Sequence, residues 1–310
     1  MKQLSYSAVS TFQECRHKYY YSYVKKIEPI RLYFPFLIGN CVQFGVKLIF
    51  EKKDPMKKTM DFFEEQKKSA RKNLNLNAEQ EQELAEQEIV VRAILKTYPI
   101  HYSKFIKDVQ LIQNEKFISY TVDESVQMIG YIDNFILYKG KPYIHELKTA
   151  KSITPDYVKS IQTSLQVAAE FHVHNSSHKE KLAGIIYDVI KKPSIRLKKG
   201  EKEKAFMNRL HKYYVDSKGS EVFYMETIKY PIITAPKVFN IFQHVAKDVL
   251  ACKQESDFYH NFKSCNNYGR CEFYDPCMFG ENRTTMANYK PKEHKNEAAH
   301  QENLRKGRSL

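Results

Sequence analysis

The most informative stretch of this sequence is Gly130-Tyr-Ile-Asp133-Asn-Phe-Ile-Leu-Tyr-Lys-Gly-Lys-Pro-Tyr-Ile-His-Glu146-Leu-Lys148. Its β-branched and aromatic residues predict two successive strands, and Lys139-Gly140-Lys141 between them is typical of a turn. Glu146 and Lys148 share one face of the second strand because alternate residues of a strand point the same way. Asp133 follows an apolar run, so we expect it at a strand end or bend, where Gly130 permits close backbone approach.

These residue types suit the hydrolysis of a phosphodiester. Asp133 and Glu146 offer hard oxygen ligands to Mg²⁺ or Mn²⁺, and the backbone carbonyl of Leu147 could supply a third ligand. A bound cation lowers the pKa of its water, while Lys148 would orient that water or offset charge on the phosphate. An E-x-K triplet alone also occurs by chance on exposed strands. Its joint occurrence with a strand-borne Asp favours the catalytic interpretation.

Helical and strand periods elsewhere predict an α/β protein. Before the hairpin we expect helices at residues 5–27, 36–51 and 56–98, the last with an inner stripe of Leu84, Ile89, Val90, Ile94 and Leu95. After residue 108 we expect strands at 111–122, 126–132, 134–138 and 142–147, a helix at 156–174, strands at 183–190 and 223–230, and a helix at 236–254. A strand, a crossover helix and a buried strand in that order predict a parallel pair.

The chain is long enough for a sizeable core with an appended subdomain, or for two intimately packed domains. We expect an N-terminal helical region at 1–108, whose first helix contributes a cysteine to a metal cluster, and a catalytic core at 109–235. A C-terminal helix and cysteine subdomain should follow at 236–280. Residues 281–310 are polar and predict a disordered tail.

The charge of the chain favours a polyanion as its partner. The 310 residues hold 50 Lys and Arg against 36 Asp and Glu, a net charge of +14, although solvated helix faces would explain the same excess. Gln162 and Gln166 lie four apart on one predicted helical face that also carries Lys159, which suits contacts to a DNA backbone or support of the active-site lysine. Tyr19 belongs to an aromatic stripe that could stack on bases, although such stripes are more often core.

The cysteines predict a metal centre. No apolar run reaches the roughly 18 residues of a membrane span, and no signal peptide is apparent, so we expect a cytoplasmic protein without disulfides. Cys265, Cys271 and Cys277 form a C-x5-C-x5-C run, and Cys15 on the first helix is the natural fourth ligand. Spacing leaves both tetrahedral Zn²⁺ and an iron–sulfur cluster open.

The whole constellation resembles the PD-(D/E)XK nuclease superfamily. More narrowly, it resembles the RecB-like branch that includes AddB and the CRISPR-associated exonucleases with four cysteines. The resemblance runs from about Ser5 to Cys277. The branch's glycine and aspartate match Gly130 and Asp133, and its E-x-K matches Glu146 and Lys148.

Two further positions match the branch only in part. Its Gln-x-x-x-Tyr corresponds to Gln166, with Glu170 in the tyrosine position. Gln43 stands four residues after Gly39, where many relatives carry a metal-binding histidine. Its amide oxygen could still bind a metal directly or through water.

The resemblance implies a fold and a site. The fold is a restriction-endonuclease-like core with a central mixed sheet flanked by helices. The expected Mg²⁺ or Mn²⁺ ligands are Asp133, Glu146, the Leu147 carbonyl and Gln43, with Lys148 and Gln166 as further catalytic groups. The four cysteines, Cys15, Cys265, Cys271 and Cys277, would hold a [4Fe-4S] cluster, with Zn²⁺ as the alternative.

The resemblance also implies an exonuclease that acts on DNA ends or single strands in replication, recombination or repair. Such an enzyme would be borne by a phage or a bacterium and would work in the bacterial cytoplasm. A helicase or a single-strand-annealing protein is the expected partner. The alternative is a non-catalytic nucleic-acid-binding module stapled by a structural Zn²⁺ or iron–sulfur site, in which Gln43 marks lost metal affinity.

Overall fold

Strands and helices follow one another along the chain. The structure is a computed structural model that describes residues 1–30, 34–74, 76–217, 219–267 and 269–292. The strands are β1 Lys2–Ser5, β2 Ile27–Pro29, β3 Val109–Thr121, β4 Val126–Tyr138, β5 Lys141–Ala150, β6 Gly184–Lys191, β7 Phe223–Ile228 and β8 Tyr289–Pro291. The helices are α1 Tyr6–Glu14, α2 Arg16–Tyr19, α3 Phe34–Phe50, α4 Pro55–Asn73, α5 Ala78–His101, α6 Ser103–Asp108, α7 Pro155–Gln162, α8 Leu165–Ser177, α9 Glu203–Asp216, α10 Gly219–Val222, α11 Ala235–Ala251, α12 Tyr274–Phe279 and α13 Arg283–Met286. A π-helical turn, Tyr20–Val24, follows α2, and 3₁₀ turns occupy Glu255–Asp257 and Phe262–Asn266.

Six strands form one mixed sheet. Their order is β1-β4-β5-β6-β7, and β3 pairs with β4. β5 and β6 are parallel and are connected through α7 and α8, β1 is parallel to β4, and the remaining neighbours are antiparallel. The α/β class with a central mixed sheet flanked by helices is thereby confirmed, as is the predicted parallel pair. The near-continuous burial of β6 fits a parallel neighbour and helices on both faces.

The pairing of β4 changes at the residue that the sequence singled out. β3 pairs along one edge of β4, whereas β1 and β5 share the other edge. β1 pairs with residues 126–129 and β5 with residues 134–138, so residues 130–133 lie between two ladders. Asp133 was predicted at a strand end or bend: β4 runs on past it to Tyr138, but Asp133 has no register partner on β3 or β5, and Glu115 across from it on β3 has a positive φ of 50°. Asp133 is the first residue of β4 beyond its pairing with β5.

The main core lies between the sheet and α3, α4 and α5. Its buried members include Val42, Val46, Phe63, Ile94, Tyr98, Leu147, Ile186 and Ile190. The inner stripe predicted for residues 56–98 is buried at all five positions, Leu84, Ile89, Val90, Ile94 and Leu95. α3 to α5 therefore share a core with β5 and β6, because their apolar faces are buried against the sheet.

Two predicted helices are each divided in the structure. Between α1 and α2 the backbone of Cys15 is extended, with φ −160° and ψ 119°. The helix predicted at 156–174 is also two helices, because the chain leaves the helical path after Gln162. The side chain of Ser164 then accepts a hydrogen bond from the backbone N–H of Val167 and caps the start of α8.

The chain divides into two compact units. The sheet unit comprises Met1–Tyr6 and Leu32–Asp248, and the terminal unit comprises Ser7–Arg31 and Val249–Leu310. This division does not follow the predicted boundaries at 108 and 235. In the terminal unit β2 pairs antiparallel with β8. A disordered tail was predicted from residue 281, but α13 and β8 fall within 281–292, and 293–310 lies outside the described residues. No described helix is both long and apolar enough to cross a bilayer.

Candidate active site and cysteine pocket

β4 and β5 bring Asp133, Glu146 and Lys148 together. Lys148 Nζ lies 2.5 Å from Glu146 Oε1, and the Asp133 carboxyl lies close enough to Glu146 for the charge of Glu146 to raise its pKa. The register that pairs Asn134 with His145 runs on to place Asp133 across from Glu146, where the two strands cease to pair. The Glu146 side chain is almost fully buried, at 1 % exposure, so its charge is felt strongly by its neighbours.

Two glutamines contact these carboxyl groups. Gln166, in the first turn of α8, donates from Nε2 to Glu146 Oε1 at 2.9 Å and to Glu170 Oε1 at 2.9 Å. Gln43 on α3 hydrogen-bonds the side chain of Asp133. Both glutamines that the resemblance suggested for the catalytic site, Gln43 and Gln166, therefore contact these carboxyl groups.

Burial and crowding of acidic groups shift the pKa values of the site. Burial, aided by the charge of Glu146, raises the pKa of Asp133 to about 8. The same two causes raise the pKa of Glu170 well above its usual range. Burial works to lower the pKa of Lys148, but the charges of Glu146 and Asp133 outweigh it and raise this pKa. Three carboxyl groups thus crowd the ammonium of Lys148, and a divalent cation would relieve the repulsion between them when they ionise.

The donor set fits a hard divalent cation. Glu146 Oε2 is buried and has no hydrogen-bond partner, although a buried carboxylate oxygen requires one. Mg²⁺ or Mn²⁺ would satisfy this oxygen, and Asp133 and Gln43 offer adjacent oxygens. Leu147 lies in the part of β5 that pairs with β6, and its side chain is in the core. The role of its backbone carbonyl as a metal ligand stays a prediction.

The three residues predicted to contact DNA lie in different environments. Lys159 is exposed on α7. Gln162 donates to Glu226 of β7, and it does not share a helix with Gln166 because α7 ends between them. Tyr19 is 1 % exposed and its ring packs against other aromatic rings of the terminal unit, so the prediction that it stacks on bases is wrong.

Sequence reasoning missed a tyrosine pair beside the lysine. Tyr187 is the register partner of Glu146 on β6, and its hydroxyl is hydrogen-bonded to that of Tyr157 on α7. Burial raises the pKa of Tyr187 above its usual value, with a further contribution from Tyr157. The predicted buried strand at 183–190 could have revealed Tyr187, because a parallel neighbour of β5 must place one residue opposite Glu146.

The four predicted cluster cysteines line a single pocket of the terminal unit. Cys15, Cys265, Cys271 and Cys277 share this pocket with His17 and His260. Burial raises the pKa of Cys277 to about 11, and the other three thiols add to that effect. Burial likewise raises the pKa of Cys271.

Local backbone bonds support the arrangement of this pocket. The backbone N–H of Asn261 donates to Cys15 Sγ at 3.4 Å, and that of Cys271 donates to the Cys265 carbonyl at 2.8 Å. Thiolates are the ligands of iron–sulfur clusters and of soft metal ions, and four unbridged thiols line this pocket.

Histidines widen the choice of metal at this pocket. Ligand atoms of His17, His260 and Cys277 lie within 4.8 Å of one another, a spacing that also suits one metal ion. His17 Nδ1 lies 3.0 Å from the Phe258 carbonyl, so Nε2 is the nitrogen that would bind a metal. The pocket therefore offers either four thiolates or a mixed His and Cys set.

A mixed sheet that brings an aspartate, a glutamate and a lysine to a buried, cation-attracting site defines the class of metal-dependent nucleases. The family model of the PD-(D/E)XK nuclease superfamily matches residues 3–278, and the chain belongs to this superfamily. A search among curated proteins found no match.

Proposed function

We propose that this chain is a Mg²⁺- or Mn²⁺-dependent deoxyribonuclease whose catalytic residues are Asp133, Glu146, Lys148 and Gln166. Membership of the nuclease superfamily supports phosphodiester hydrolysis in general. The observation that carries the proposal is the convergence of Asp133 and Lys148 on Glu146, one of whose carboxylate oxygens is buried without a partner.

Each residue has a role that follows from its contacts. Asp133, Glu146 and Gln43 hold the cation, which when bound lowers the pKa of water and offsets phosphate charge. Lys148 stays protonated, because two carboxyl groups raise its pKa, and so it can donate hydrogen bonds to a phosphate oxygen or to the attacking water. Gln166 holds Glu146 in place through its amide.

The central experiment replaces the lysine. Lys148→Met removes the ammonium at the site, and we expect the rate of DNA cleavage with Mg²⁺ or Mn²⁺ to fall about 100-fold or more. Lys141→Met is the matched control, because Lys141 lies on the same strand but is exposed. Cleavage of labelled single- and double-stranded DNA is the measurement. Equal activity in the wild type and Lys148→Met would refute the proposal.

Action on DNA ends or single strands is part of the proposal and rests on the resemblance. Linear and circular single-stranded DNA of the same sequence distinguish the modes, because an exonuclease spares the circle. The same proposal includes that the enzyme acts together with a helicase or a single-strand-annealing protein in phage or bacterial recombination or repair.

The second candidate function is a non-catalytic DNA-binding module, favoured by Gln43 in the place of a histidine. Binding without cleavage at any metal concentration would select it.

The cysteine pocket is proposed to hold a [4Fe-4S] cluster on Cys15, Cys265, Cys271 and Cys277. All four thiols line one pocket, which supports this ligand set. Zn²⁺ is the alternative, because His17 and His260 add nitrogen ligands beside Cys277. In either case the centre would tie the residues after α1 to those after α11 within the terminal unit.

A further inference from the structure

Glu170 is a third acidic residue at the site, and its burial is unusual. It lies on α8, 7 % exposed, and its Oε1 accepts a hydrogen bond from Gln166. Asp133 and Glu146 are close enough to oppose its ionisation. A buried acidic group beside two others destabilises the protein, and an apolar side chain of similar volume would avoid this. The position therefore calls for a functional explanation.

The bond to Gln166 supplies that explanation. An amide NH₂ group has two hydrogens, and Gln166 Nε2 lies 2.9 Å from both Glu170 Oε1 and Glu146 Oε1. With both hydrogens taken, the amide cannot turn its carbonyl towards Glu146. Glu146 is then held through Oε1 by Gln166 and Lys148, while Oε2 stays buried and unpartnered.

We propose that Glu170 is a positioning residue that acts through Gln166 to keep Glu146 Oε2 free for the cation. This inference rests on the proposed function, because it assumes that Glu146 binds a divalent metal. Glu170 touches neither the metal nor the substrate in this scheme. Its contribution is the acceptor that fixes the orientation of the Gln166 amide.

The test measures Mn²⁺ affinity by calorimetry on the full chain. Glu170→Met keeps the side-chain length but removes the acceptor, and we expect the affinity to fall about 10- to 100-fold. Glu170→Gln keeps a carbonyl acceptor and should stay within about threefold of the wild type. Glu86→Met is the control, because Glu86 is equally buried on α5 and bonds to Gln82 and Arg196.

A second comparison isolates the route through Gln166. In a Gln166→Met background, Glu170→Met should change the Mn²⁺ affinity no further, because the bridge is already lost. The melting temperature of metal-free Glu170→Met should equal or exceed that of the wild type, since a buried acid is removed. If the Glu170→Met variant does not fold, Glu170→Ala is used in its place in both measurements.

Several outcomes would overturn the inference. Wild-type affinity in Glu170→Met, an equal loss in Glu170→Gln, or an additive loss in the double variant would each do so, as would absence of Mn²⁺ binding by the wild type. A wild type that binds Mn²⁺ but cleaves no DNA removes the proposed function and leaves the positioning test intact. A Glu170→Met variant that binds Mn²⁺ normally, in a protein that cleaves DNA, removes only the positioning role.

Discussion

At the scale of single residues, the candidate site holds buried acidic groups whose proximity is unfavourable without a metal and would become favourable when a cation binds. Asp133 is buried next to Glu146, and its raised pKa shows that the metal-free fold resists a second negative charge there. Cation binding removes this penalty, because the ion compensates both carboxylates. Metal affinity and metal-free stability are therefore opposed at this position.

This opposition predicts a pH dependence of stability. Folding raises the pKa of Asp133 from 3.8 to about 8, so the folded protein keeps a proton that the unfolded chain releases. The free energy of unfolding in EDTA should thus fall as pH rises from about 4 to about 8, by at most about 1.4 kcal/mol per pH unit from this group. Urea denaturation at several pH values measures the slope.

Asp133→Asn is the control for that slope. It should remove part of the decline, and Glu170, whose pKa is raised in the same direction, contributes to what remains. Saturating Mn²⁺ should stabilise the wild type most at the high end of the range, where the carboxyl is ready to bind. An unchanged slope in the variant would contradict the assignment of the shift to Asp133.

At the scale of elements, β5 and β6 carry the candidate metal site on one face and a buried polar cluster on the other. Glu146 and Lys148 point to one face, whereas His145 and Asp188 point to the other, where both are fully buried. Asp188 accepts hydrogen bonds from Tyr98 at 2.7 Å and from Tyr102 at 3.3 Å. This polar cluster joins the end of α5 to the sheet and makes no contact with the metal ligands through these bonds.

The cluster predicts a loss of stability without a loss of catalysis. Tyr98→Phe leaves the buried Asp188 carboxyl short of its closest donor, so the free energy of unfolding should fall by about 1–3 kcal/mol. Tyr102→Phe removes the longer bond and should cost less. Urea denaturation measures both, and DNA cleavage at a permissive temperature should remain near the wild-type rate. A large fall in cleavage at full folding would contradict the separation of the two faces.

At the scale of the whole molecule, the division into a sheet unit and a terminal unit separates the two candidate metal centres. Asp133, Glu146 and Lys148 belong to the first unit, and the four-cysteine pocket belongs to the second. The terminal unit is built from two distant stretches of sequence. A metal that ties these stretches contributes directly to the stability of that unit.

Loss of one thiol should therefore empty the pocket and destabilise the terminal unit. Cys277→Ser should abolish the brown colour of an anaerobic preparation, together with its iron and acid-labile sulfide, and should lower the melting temperature. Cys252→Ser is the matched control, because Cys252 lies in the same unit outside the pocket lining. A colourless wild type that contains zinc would contradict the iron–sulfur assignment and support the Zn²⁺ alternative.

Local patterns were sufficient for the α/β class, the parallel pair and the approach of Asp133, Glu146 and Lys148 to one another. Strand alternation places Glu146 and Lys148 on one face, and a hairpin brings Asp133 beside them, so these relations span few residues. The cysteine run was equally local. Cys15 was added to the predicted ligand set because three cysteines leave one position of a four-ligand centre unfilled.

Contacts between distant segments depended on packing that no local pattern contains. β1 takes the edge of β4 that β5 leaves free, so β4 has neighbours on this edge both before and after Asp133. Tyr19 is buried rather than exposed, because aromatic residues far along the chain cover it. Glu170 faces Glu146 only because a break before Ser164 turns α8 onto the sheet. These relations arise from how whole elements pack, since helical and strand periods specify a face but not the surface it meets.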